Sequence, residues 1–72
     1  MKTLAFNLNY KGVDYTSNYN EYDEEKLSKA ENLIEKIVGG DCDYFTFRGG
    51  NKQYYFPKKI ISESIISIVY KN

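Results

Sequence analysis

The chain has 72 residues, 42% of them hydrophobic, with eight tyrosines, four phenylalanines, one cysteine, no histidine and no net charge. These figures exclude a disordered segment and an internal disulfide, and predict a single domain over residues 1–72, near the size at which one hydrophobic core only just suffices for folding. Zero net charge also argues against a general polyanion binder, although residues 1–45 carry five lysines against nine carboxylates and residues 46–72 carry five cations against Glu63 alone.

From Thr3 to Tyr10, the apolar residues Leu4, Phe6, Leu8 and Tyr10 alternate with Thr3, Ala5, Asn7 and Asn9, the period of a strand with one buried face. Lys11 and Gly12 supply a turn signal, and Val13 and Tyr15 resume the alternation, so a first hairpin is expected. Residues 17–22 read as a polar loop. Asp23 then caps a helix whose first turn carries Glu24 and Glu25, favourably placed against the helix dipole. Leu27, Ala30, Leu33, Ile34, Ile37 and Val38 fall within an arc of about 140° at 100° per residue, and Gly39-Gly40 ends the helix.

Residues 43–48 and 52–56 are both rich in β-forming types, and the Gly-Gly-Asn between them is a hairpin turn. On the first arm Phe45 and Phe47 point into the core, while Tyr44, Thr46 and Arg48 face away. Pro57 ends the fourth strand, and residues 58–64 form a short turn or helical turn. In the last strand, residues 64–70, both faces carry apolar groups, which suits a central sheet position. The order is ββαβββ. The expected fold class is α+β: two layers, a mostly antiparallel sheet with one amphipathic helix packed on one face.

Chemistry is sparse in this chain. Without histidine there is no Ser-His or Cys-His pair, and Cys42 lies between Asp41 and Asp43, which oppose a thiolate. Those two aspartates share a parity that can offer oxygens to a hard cation, and equally one that solvates a helix-to-strand junction. Neither glycine pair has the pattern of a phosphate loop. No enzymatic activity, cofactor or metal site is expected.

Two segments carry the binding expectations. Glu21, Asp23, Glu24, Glu25 and Glu31 cluster around the helix start beside Tyr19 and Tyr22. Such a cluster satisfies a helix end, or it steers and anchors a basic surface of a protein partner, with Tyr19, Tyr22, Glu24 and Glu25 as contacts. The hairpin over residues 44–59 offers the alternative, nucleic-acid binding through Arg48, Lys52, Tyr54, Lys58 and Lys59, with bases stacked on tyrosine and phosphates held by the cations. A single arginine and nine preceding carboxylates weigh against it.

In size and composition the chain resembles the small accessory proteins of phages and mobile elements of low-GC bacteria, many of which bind and inhibit a host factor. The resemblance implies a cytoplasmic inhibitor that masks a surface of a host defence or regulatory protein, and it carries over no functional residue. The expected function is therefore non-enzymatic protein binding, with no membrane segment. A third expectation is a homo-oligomer, joined through a sheet edge, that sequesters a small nucleotide-like ligand.

Overall fold

The computed structural model describes residues 2–72. Strand β1 (Thr3–Tyr10) is the centre of the larger sheet and pairs antiparallel with β2 (Val13–Thr16) through a two-residue turn. Lys11 and Gly12 both take positive φ, 51° and 84°, the turn geometry that matches strand twist. The Asn9 side-chain oxygen accepts from the Gly12 N–H at 3.3 Å.

Residues 17–22 are not simply a loop. Strand β3 (Asn20–Glu21) pairs with the same edge of β1 as β2 does, with Asn20 opposite Leu4 and Glu21 opposite Thr3. Thr16 sits opposite Asn7, and Ser17 stays in step: its N–H donates to the Phe6 carbonyl and its hydroxyl oxygen accepts from the Phe6 N–H, both at 2.8 Å. One residue too many lies between Ser17 and Asn20 for the single β1 position they leave, Ala5. Strands β2 and β3 are thus one edge strand interrupted by a bulge at Asn18 and Tyr19.

Helix α1 (Glu24–Val38) begins as its sequence dictates, the Asp23 carboxylate accepting from the Lys26 N–H at 2.9 Å. It ends in a Schellman pair: Gly40, at φ 86°, donates to the Ile37 carbonyl, and Asp41 donates to that of Lys36. Ala30 and Ile37 are buried on its apolar stripe. Asp23→Ala should lower stability by about 1 kcal/mol, read as a fall in the urea midpoint of the helical circular-dichroism signal.

Strands β4 (Tyr44–Gly49) and β5 (Lys52–Pro57) form a hairpin, followed by the short helix α2 (Lys58–Ser62) and strand β6 (Ile65–Lys71). Two features differ from the sequence expectation. The β4–β5 hairpin makes a separate two-stranded sheet, and β6 pairs only with β1 among the described residues, so it lies at an edge rather than in the centre. Both follow from the aromatic content of the hairpin. Phe45, Phe47, Tyr54 and Phe56 share one face of it, and that face is buried by lying over Leu8 and Phe6 of β1 instead of extending their sheet.

The architecture is therefore α+β and mostly antiparallel, with α1, α2 and the hairpin on one face of the larger sheet. Leu8, fully buried, sits in a core with Ile37, Phe45, Phe47, Phe56 and Ile61. Ring centroids of Phe45, Phe47 and Phe56 lie 5.2–6.3 Å apart, and Tyr15 and Tyr54 close the cluster. The bulge fastens the two sheets together: the Asn18 N–H donates to the Arg48 carbonyl at 2.9 Å, and its side-chain oxygen accepts from the Gly50 N–H at 2.8 Å. No helix among the described residues is long and apolar enough to cross a membrane.

Candidate functional site

The hairpin turn decides which side chains of β4 and β5 face outward. Gly49 pairs with Lys52, leaving a loop of Gly50 and Asn51, and this register sets Phe47 opposite Tyr54 and Phe45 opposite Phe56 on the inner face. The outer face carries Tyr44 opposite Pro57, Thr46 opposite Tyr55 and Arg48 opposite Gln53. Tyr44 and Tyr55 are left open on this face, 66% and 73% exposed among the described residues. Together with Arg48, also exposed, they form a ridge of residue types that dominate protein contacts.

A hollow lies on each flank of this ridge. Beside Tyr44 and Thr46 a hollow of about 360 Å³ runs under Leu33, Ile37 and Cys42. Beside Tyr55 a groove of about 420 Å³ is lined by Tyr10, Tyr15, Tyr54, Phe56, Pro57 and Ile60. Large rigid side chains standing between two apolar hollows can enter a partner's surface while the hollows receive the partner's own apolar groups.

The residues expected at the helix start are spread more thinly. Glu24 and Glu25 are exposed in the first turn of α1, and Glu25 forms an exposed pair with Lys29 at 3.4 Å. Lys26 and Lys29 border the same hollow as Glu21 and Tyr22, so cations alternate with the acids there. Tyr22 is half-buried with its ring 6.0 Å from that of Tyr70, while the ammonium of Lys71 lies 5.3 Å from the ring centre of Tyr19. Both tyrosines already have partners within the domain.

The residues of the nucleic-acid alternative divide between the two ends of the hairpin. Arg48 and Lys52 flank the turn, whereas Lys58 and Lys59 open α2 at the far end, about 20 Å away along the strand. Tyr54 faces the core, its ring 5.4 Å from Tyr15, 5.7 Å from Phe47 and stacked on Phe56 at 6.0 Å. It is therefore not an open stacking platform. Its neighbour Tyr55 occupies the exposed position.

Tyr44 and Tyr55 as a pair are the contribution of the fold. The parity of the first arm places Tyr44 and Arg48 outside in the sequence itself, but Tyr55 follows only once the loop is known to be two residues long. No protein-family model, no curated protein and no solved structure matches the chain.

Proposed function

We propose that this is a non-enzymatic protein-binding domain whose contact surface is the outer face of the β4–β5 hairpin. The observation that carries the proposal is the pair Tyr44 and Tyr55, exposed as diagonal neighbours with Arg48 on the outer face of the two-stranded sheet. Tyrosine supplies large contact area with only two side-chain torsions to freeze, so such a ridge gains affinity at modest entropic cost. Composition and size support a role as a phage- or mobile-element-encoded inhibitor that masks a surface of a host defence or regulatory protein.

Affinity capture from a bacterial lysate tests this, with the protein and its Tyr44→Ala/Tyr55→Ala variant as parallel baits. A partner retained by the first should be held at least about thirtyfold more weakly by the second, the loss of one strong contact site. Both tyrosine side chains are outward, so the variant keeps its unfolding midpoint. Retention that survives this change but fails with Glu24→Lys/Glu25→Lys would move the contact to the start of α1.

Nucleic acid is the second reading, favoured by one observation: Arg48 shares the open face with two exposed aromatics. Bases could stack on Tyr44 and Tyr55 while Arg48 meets a phosphate. Asp41 and Asp43 enter β4 beside the Tyr44–Pro57 pair, next to Lys58, so the far end of the face mixes both signs of charge. A salt-sensitive mobility shift of labelled single strands, abolished by Arg48→Ala/Lys52→Ala, would put this reading ahead.

A further inference from the structure

The larger sheet ends in an unguarded strand. β6 runs for seven residues, pairs only with β1 among the described residues, and contains no proline, no glycine and no charge before Lys71. Edge strands of this kind are ordinarily shortened, bulged or charged, as the opposite edge is by its bulge at Asn18 and Tyr19. Alternate residues of β6 turn N–H and C=O groups away from β1. On the side facing α1, the strand opens into a groove of about 310 Å³ lined by Ile34, Ile66, Ile68 and Tyr70, with Glu31 and Glu35 on the helix. Both glutamates are exposed, and no cation among the described residues lines the groove.

We propose that β6 is the docking edge for an extended segment of another protein, which adds as a further strand and carries lysine or arginine at alternate positions on the helix side. Main-chain hydrogen bonds to β6 hold the segment, and the pocket chemistry selects it. The aliphatic stems of its cations lie over Ile66 and Ile68 while their charged ends reach Glu31 and Glu35. Its other side chains meet Ile65 and Val69 on the opposite face of the sheet, where apolar residues fit.

A second copy of β6 is a poorer occupant. On the helix side it would offer Ile66, Ile68 and Tyr70, none of which carries a charge to complement Glu31 and Glu35. The edge is separate from the hairpin face, so either surface can fail in experiment without the other.

The test uses a capped seven-residue peptide of alternating lysine and valine, and a glutamate–valine peptide of the same length. Amide hydrogen exchange by NMR locates binding, and fluorescence anisotropy measures it. The lysine peptide should slow exchange at alternate amides within residues 65–71, the glutamate peptide should not, and Glu31→Lys/Glu35→Lys should weaken lysine-peptide binding about tenfold. The two exposed substitutions leave the unfolding midpoint in place, which is measured alongside. Absence of β6 protection, equal binding of both peptides, or binding indifferent to the charge reversal would overturn the proposal. So would β6 protection in the protein alone that rises with its concentration, because a second copy would then own the edge.

Discussion

Phe56→Ala should cost about 3–5 kcal/mol of folding stability, in a 72-residue domain whose total is roughly 4–11 kcal/mol. Phe56 is only 6% exposed, and its ring lies 5.2–6.3 Å from those of Phe45, Phe47, Tyr15 and Tyr54. Those neighbours come from three different strands. β4 and β5 are held to each other by their ladder, and Tyr15 is anchored by its pairing with Leu8, so the surroundings cannot readily close over the space left by the ring. With an unfolding slope of about 1 kcal/mol per molar urea for a chain this small, the midpoint should fall by about 3–5 M. Phe56→Leu, which keeps most of the volume, should recover more than half of that. A fall below about 1 M for the alanine variant would mean that the aromatic cluster repacks freely and does not fix the hairpin on the sheet.

The second large effect is expected at Gly49, the last residue of β4. A Cβ there would stand 2.5 Å from the backbone oxygen of Thr16 and 3.1 Å from the Tyr54 ring. Thr16 cannot retreat easily, since it is paired with Asn7 in the ladder and bonded to it through their side chains at 2.8 Å. Gly49→Ala therefore has to lift the hairpin turn off the bulge, straining the two Asn18 hydrogen bonds that fasten it. Overpacking of about 1–3 kcal/mol, plus about 1 kcal/mol for each of the two hydrogen bonds broken, gives a total of about 3–5 kcal/mol. The neighbouring Gly50 is the control. Its φ of 62° penalises alanine through the backbone by about 1 kcal/mol, but a Cβ there meets nothing within 4 Å. Gly49→Ala should thus be the worse of the two, with faster amide exchange at Asn18. The reverse order would show that backbone conformation governs this corner and close packing does not.

These two positions also show how far the sequence can be read. The alternation in β1, the turn at Lys11 and Gly12, the cap at Asp23 and the glycine stop after α1 are all local, and each is formed by residues within a few positions of one another. Strand parity likewise separates Phe45 and Phe47 from Tyr44 and Arg48. What remained hidden depends on single-residue offsets. Had Gly49, Gly50 and Asn51 all formed the loop, Arg48 would pair with Lys52, and Tyr55 would turn inward in place of Tyr54. The bulge at Asn18 and Tyr19 is another one-residue shift, and nothing in a polar stretch announces it. The placement of the hairpin over the sheet, and of β6 at its edge, depends on how four inward aromatic rings are best covered, a question of packing between distant segments.

The bulge has a consequence for assembly. A sheet with two equivalent open edges can join head to tail without limit, because each added molecule presents a fresh edge to the next. In the larger sheet here, one edge is broken by the bulge and met by the hairpin turn through Asn18, and the other is the regular strand β6. A single adhesive edge admits only terminating unions: one foreign strand, or one twofold pair, and then this sheet has no like edge left to offer. By this route the domain can be a strand acceptor without being the seed of a fibre.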